Sequence, residues 1–401
     1  MIKEKIGLIP RYNWDYKFPD FAKAFSAAWR HNSDSKGILE SVFGQEPILT
    51  GSGRTSLYII LKSLELPEGS GVGVPLFCCP VVFEAIHEAG LVPVFIDINI
   101  DDYCISASDL QKKIDSISAI IVVHLFGHPA NMDAISSICR SIPIVEDCAH
   151  ALFSKYKGKS IGCLSTVSFF SFRSGKYISS GEGSAIFCQD PLLYKNINRF
   201  IEKLKEWKLL QEIFHCTATY IKSILYNKPW YGTIGYPVGR LLDQKLNLTS
   251  KTGIKLRKIA KGDLIILNDR IESFFEKVRK QRENAFFFMK NLNLKGGELP
   301  YEKSDCQSNY YQFAIRFQNS SQRDFIADYL LRCGIDSAKY LDEIVDVSKI
   351  DYGYRGDCPN SEICSKTVLV VPNHYVLSDK DLNYIVKCLN NGNEYFVSTC
   401  T

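Results

Sequence analysis

Between Gly71 and Cys148 short apolar runs alternate with segments of helical spacing, and that alternation leaves few folds open. GVGVPLF (Gly71–Phe77), LVPVFIDI (Leu91–Ile98), AIIVVHLF (Ala119–Phe126) and IPIVEDC (Ile142–Cys148) read as strands. AIIVVHLF is apolar at every position but one, so its strand is buried on both faces. Helical signals lie between them. PVVFEAIHEAG starts in proline and ends in glycine, SASDLQKKI opens with capping residues, and ANMDAISSICRS completes the series. Apolar strands alternating with helices predict an α/β fold with a mostly parallel sheet between helices.

The rhythm breaks after Cys188. Residues 189–250 become helical and rich in Trp, Tyr and Leu. Lys255 to Leu292 reads as one long helix or a broken pair. From about Gly296 mixed text returns, with YYQFAIRF and VLVVPN as strands and QRDFIADYLLRCGI as a helix. The expected division is a large domain over 1–250, carrying an aromatic-rich helical insert at about 189–250. A connecting helix and a smaller C-terminal α/β domain would occupy 251–401. A length of 401 residues is ample for two such units. A net charge of +4 does not indicate a nucleic-acid partner. The N-terminal text lacks a signal-peptide core, and no run approaches the ~18 apolar residues of a spanning helix. A cytoplasmic location is expected. The 14 cysteines contain no CxxC pair, so they read as small buried residues rather than metal ligands or a disulfide framework.

Three features carry chemistry. Asp147 closes an apolar strand, at the sheet edge where ligands bind in open parallel sheets. A carboxylate buried there needs a partner; a helix cap or salt bridge is the plainer role. TGSGRTSLYIILKSL (Thr50–Leu64) feeds a Gly-Ser-Gly turn into an amphipathic helix. Free N–H groups at that helix start would make an anion site, with Arg54, Thr55 and Ser56 forming the cup. The spacing is neither that of a P-loop nor GxGxxG. SFFSFRSGKYISSGEGSAIF (Ser168–Phe187) sets Lys176 between apolar runs, with Ser171 five residues before it and GEG five after. A buried lysine, a strand-end carboxylate and a phosphate cup are what pyridoxal phosphate requires. The lysine forms a Schiff base, the aspartate keeps the pyridine nitrogen protonated, and the cup holds the phosphate.

The chain resembles the DegT/DnrJ/EryC1/StrS family of sugar aminotransferases. The resemblance rests on GSGRTSL, VPLFCCPVVFEAI, VHLFGHPANMDAI, VEDCAHA and SFRSGKYISSGEGSAI, and extends to VLVVPNHYVLSDKDL. It implies the fold-type I, aspartate aminotransferase-like architecture and pyridoxal 5'-phosphate as cofactor. By the same resemblance Lys176 is the cofactor-linked lysine and Asp147 the pyridinium partner. His150 falls near the cofactor's phenolic oxygen. Gly53, Arg54 and Thr55 supply phosphate-binding backbone, and Ser171 is the phosphate-binding serine. Cys79 stands where the family often has an aromatic over the ring. Lys255, in GIKLRK, replaces the usual asparagine of a stretch that reaches the phosphate from a neighbouring subunit. That implies a homodimer with shared sites. Ser184 replaces the second glycine of GEGG, and the insert has no clear counterpart. Lys176 is not the histidine of the dehydrating branch, which favours transamination.

The expected reaction moves an amino group from an amino acid, L-glutamate first, to a keto-deoxy sugar on a nucleotide diphosphate. Alternatives are a lipid-linked or other non-sugar ketone, a lyase or dehydratase reaction, and a regulatory protein keeping the fold; intact Lys176 and Asp147 argue against the last. His124 and His128 flank a strand end, either lining the site or serving structure. Arg173 has two open roles, a substrate anion or a surface or dimer salt bridge. The basic group Lys251, Lys255, Arg257 and Lys258 would attract a diphosphate or be a solvated helix end. Leu204, Trp207, Leu210, Ile213 and Phe214 have helical spacing, which points to core or dimer packing. A membrane-lying face or a greasy substrate wall is the other reading.

Overall fold

A computed structural model describes residues 7–29, 36–245 and 253–400. Its central sheet has seven strands: β1 (Ile48–Thr50), β2 (Gly71–Pro75), β3 (Val92–Ile96), β4 (Ala119–Val123), β5 (Ile144–Asp147), β6 (Val167–Ser171) and β7 (Ser184–Cys188). Their order is β1-β7-β6-β5-β4-β2-β3, and β7 alone runs against the rest. β6 and β7 are neighbours joined by a loop without a helix, and so pair antiparallel. β1 also pairs antiparallel with β7, and the remaining neighbours pair in parallel.

β4 is wholly buried, as its composition requires. Ile121 and Val123 join the cluster of Leu57 and Phe83, while Ile120 and Val122 face Ile135 and Leu267. Period-two alternation thus supplies both cores from one strand. The strand stops short of the expected Phe126. The chain turns at His124, and Phe126 takes a positive φ of 56°. Gly127 follows at φ 94°, and a Cβ there would lie 1.8 Å from Asn309 Oδ1. Glycine is therefore needed for both the bend and the close approach.

The helix α1 (Gly53–Ser63) leaves β1. In the insert, α2 (Leu209–Leu225) carries Leu210, Ile213 and Phe214, but Leu204 and Trp207 precede it. The five residues do not share one helix as expected. Lys205 is drawn into a bridge with Arg257, with Lys205 N–H donating to Leu256 O at 3.1 Å, and this interrupts the helical run. Leu204 packs in the core, while Leu210 and Phe214 are exposed. The charged stretch beyond it is a broken pair, α3 (Lys261–Ile271) and a helix over Phe274–Asn291, with residues 255–260 outside both.

A second sheet of four antiparallel strands is ordered Gly297–Glu298, Phe313–Phe317, Val368–Val371, Ala338–Lys339. Ile9 joins its hydrophobic cluster and donates its N–H to Gly334 O at 2.8 Å. The thirteen cysteines whose side chains are described are free. No described helix is long and apolar enough to cross a membrane.

Candidate active site

Asp147 is the last residue of β5, paired in register with Val123 and Phe169 on either side. That position buries its carboxylate. Burial raises its pKa, opposed by the Ala149 N–H at 3.0 Å and then by Lys176 and His124.

Lys176 lies in the loop between β6 and β7, not within a strand. The loop is tied down at four points. Arg270 Nη1 donates to Ser179 O at 2.7 Å, and Glu182 N–H donates to Asp263 Oδ2 at 3.0 Å. The Tyr311 hydroxyl donates to Gly175 O at 2.5 Å, and the Tyr177 hydroxyl to Asn309 O. The Lys176 side chain stays partly accessible although it lies deep in the protein. Burial and then the like charge of Arg173 bring its amine down to about 8, against opposing effects of Cys79 and Asp147. Its Nζ sits 5.4 Å from the centre of the Tyr311 ring.

The His150 and Tyr311 rings are 4.6 Å apart. His150 Nδ1 accepts the Phe126 N–H at 3.4 Å, which leaves Nε2 as the protonated nitrogen. Burial, then Lys176 and Arg173, hold this histidine well below its ordinary pKa, so it is neutral. Cys79 is exposed and near enough to influence Lys176, Tyr311 and Tyr340. Arg173 is exposed on the Lys176 loop and has no ion pair among the described residues.

The cup forms where Ser52 caps α1, accepting the Thr55 N–H at 3.2 Å. Gly53 lets this helix end approach Ser171: a Cβ would lie 3.2 Å from the Ser171 Cβ. The Ser171 hydroxyl makes no hydrogen bond among the described residues. An unbonded hydroxyl facing a helix N-terminus suits a phosphate. The Arg54 guanidinium is held by Glu84 at 3.0 Å, so its N–H is what it offers the cup. Ser56 does not join the cup as expected: its N–H donates to Ser52 O at 3.0 Å, and its hydroxyl turns away. It is buried one turn on, 2.8 Å from both Thr50 Oγ1 and Ser184 Oγ.

Lys255 is at the cup, but on its own chain. Its carbonyl accepts the Thr55 hydroxyl at 3.1 Å, and Gly51 N–H donates to Arg257 O at 2.9 Å. Gly51 leaves room for this stretch, since a Cβ there would lie 2.9 Å from Arg257 O. The basic group does not gather: Lys258 pairs with Glu206 at 2.9 Å and Arg257 lies over the Trp207 ring at 5.0 Å. Lys251 lies outside the described residues.

His124 is structural. Its Nδ1 accepts the Ala130 N–H at 3.0 Å, and its Nε2 meets Glu146 Oε2 at 3.2 Å. Glu146 also accepts the N–H groups of Gly162, Leu164 and Ser165 and the Ser165 hydroxyl. His124, Glu146 and Cys148 place potential metal-ligand atoms within 4.8 Å of one another. Both nitrogens of His124 and both oxygens of Glu146 are already engaged, so the cluster reads as a brace for the strand end. His128 is buried and pushed down to about 4 by burial.

Tyr311 and Asn309 were not singled out in the sequence. SNYYQF offered only the start of a strand, and nothing local tied it to Lys176 135 residues earlier.

The profile of the DegT/DnrJ/EryC1/StrS aminotransferase family matches residues 40–215. GDP-perosamine synthase of Escherichia coli O157:H7 is 25% identical over 342 residues, 84% of this chain and 83% of that protein. L-glutamine:2-deoxy-scyllo-inosose aminotransferase of Streptomyces fradiae is 32% identical over 149 residues, 36% of this chain and 35% of that protein. The solved aminotransferase TlmJ from Streptoalloteichus hindustanus shares the fold, with a TM-score of 0.78 at 21% identity over 97% of this chain and 100% of that one. Over residues 40–215 the chain is similar to the DegT/DnrJ/EryC1/StrS aminotransferase family, and with these relatives it is a fold-type I aminotransferase of the pyridoxal 5'-phosphate-dependent kind.

Proposed function

We propose that the enzyme moves an amino group from L-glutamate to a keto-deoxy sugar carried on a nucleotide diphosphate, with Lys176 as its catalytic lysine. The observation that carries this reading is the Lys176 amine, lowered to about 8 in a loop beside the Asp147 strand end. The bound cofactor supplies an electron sink that makes the substrate Cα–H acidic. Lys176 would hold the cofactor at rest, and its freed amine would serve as the base and acid that moves the donor's Cα proton. A pKa near the working pH suits both directions of that transfer. Asp147 would be kept ionised by the protonated ring nitrogen of the bound cofactor, which would compensate the cost of burying it. Ser171 and the N–H groups of Gly53 and Arg54 would hold the phosphate, with the Thr55 N–H joining them on leaving Ser52 Oγ, which it meets at 3.2 Å. Neutral His150, with its proton on Nε2, would donate to the cofactor's phenolic oxygen, and Cys79 would cover the ring. Arg173 anchors the donor's carboxylate.

The sugar acceptor is supported by GDP-perosamine synthase, whose name states a GDP-linked product and which aligns over most of both chains. A second reading, a cyclitol ketone with L-glutamine as donor, is supported by the name of the Streptomyces fradiae relative over a shorter stretch. The test is the absorption spectrum of the cofactor-loaded protein before and after each amino acid. Loss of the visible band with glutamate but not glutamine supports the first donor. The reverse supports the second, and no change with either overturns both.

A further inference from the structure

We propose that the helical segment over residues 207–241 docks the protein on an anionic lipid surface. α2 is built inside out for a helix on a water-facing surface. Its inward face is small and polar: Glu212, Cys216, Thr219 and Ser223, at spacings of four, three and four, are its buried residues. Two of these are bonded inward. Glu212 accepts the Lys261 N–H at 3.0 Å, and the Ser223 hydroxyl donates to Tyr16 O at 2.7 Å. The outward face is apolar. Leu210 and Phe214 are 78% and 76% exposed, and Ile221 and Ile224 continue the stripe.

The next helical stretch repeats the pattern. Trp230, Ile234, Val238 and Leu241 are exposed at spacings of four, four and three. Phe18, also exposed, lies 6.1 Å from the Tyr220 ring and extends the α2 patch.

The charge around this surface selects the occupant. Between Trp207 and Leu241 the one carboxylate is Glu212, which faces inward. The exposed charges are Lys208, Lys222, Lys228 and Arg240, all basic; Lys228 pairs with Asp381 at 3.3 Å. Apolar side chains between cations match the boundary of an anionic bilayer, where the side chains enter the acyl region and the cations meet phosphates. A two-fold contact of this patch with its own copy would set these cations against one another with no carboxylate between them. No described helix is long and apolar enough to span, so the segment would lie on the surface.

The test is flotation of the full-length protein with phosphatidylcholine vesicles, with and without phosphatidylglycerol. The proposal expects flotation only with the anionic vesicles. Phe214→Asp would lower partitioning about tenfold or more by removing one buried aromatic. Lys208→Glu with Lys222→Glu keeps the apolar stripe and should also lose flotation, with an unchanged circular dichroism spectrum. Equal behaviour with both vesicle types overturns the proposal. So does a Phe214→Asp protein that floats normally but splits an oligomer in sedimentation velocity, because the patch is then a subunit interface.

Discussion

The Lys176 amine lies 5.4 Å from the centre of the Tyr311 ring, and the Tyr311 hydroxyl donates to Gly175 O at 2.5 Å, one residue before that lysine. One tyrosine from beside the second sheet thus braces both the reactive group and its loop. Tyr311→Phe removes the hydrogen bond and keeps the ring. The expected cost is about 1 kcal/mol in transition-state positioning, or about fivefold in kcal-derived rate, read as kcat with KM little changed. Tyr311→Ala removes the ring as well and should cost about 3 kcal/mol of stability, read by denaturant unfolding.

The lowered Lys176 pKa fixes a pH dependence. The rate at which cofactor-free protein captures pyridoxal phosphate should rise with pH and level off above about 8, because the neutral amine is the nucleophile. Arg173→Gln removes the like charge, so the rise should move to higher pH. The stability effect has a definite sign. From about 8 to the ordinary 10.5 the unfolded chain holds more protons at this lysine than the folded one. Its contribution therefore makes stability rise with pH across that window. A capture rate flat in pH would contradict the assignment.

Asp147→Asn should separate function from stability. Loss of the buried charge is expected to lower kcat about a hundredfold or more. The folded carboxyl's pKa is raised, so ionising it destabilises the cofactor-free protein once the pH passes through that value. The variant without cofactor should therefore melt higher than the parent at neutral pH. A lower melting point would mean that the carboxylate is a structural anchor.

The parallel sheet and the Asp147 strand end were legible because fully buried strands need near-continuous apolar runs, and such runs survive in any context. The Gly53 helix start was legible as a glycine turn, and the structure sets it against Ser171, whereas Ser56 turns away because the helix's rotation decides which side chain faces inward. The Glu146 brace adjoins Asp147 in sequence and points elsewhere; only the loop over 162–165 reveals it. Tyr311 was invisible for a different reason: its partner arrives through tertiary packing. The α2 stripe was read as packing because periodicity reports an apolar face and not what covers it.

If His124, Glu146 and Cys148 form a brace, removing the carboxylate should unfold rather than demetallate. Glu146→Ala is expected to cost about 3–5 kcal/mol, because it strands several buried donors. Incubation with a chelator should leave the melting temperature of the parent unchanged. A chelator-induced drop restored by one divalent ion would identify the cluster as a metal site instead.

The most direct measurement of the central claim is to load the protein with pyridoxal phosphate, reduce it with borohydride, digest it and locate the modified peptide by mass spectrometry. The account predicts the cofactor's mass on Lys176 and none on a Lys176→Ala protein. Stoichiometric modification of another lysine, with Lys176 unmodified, would contradict it.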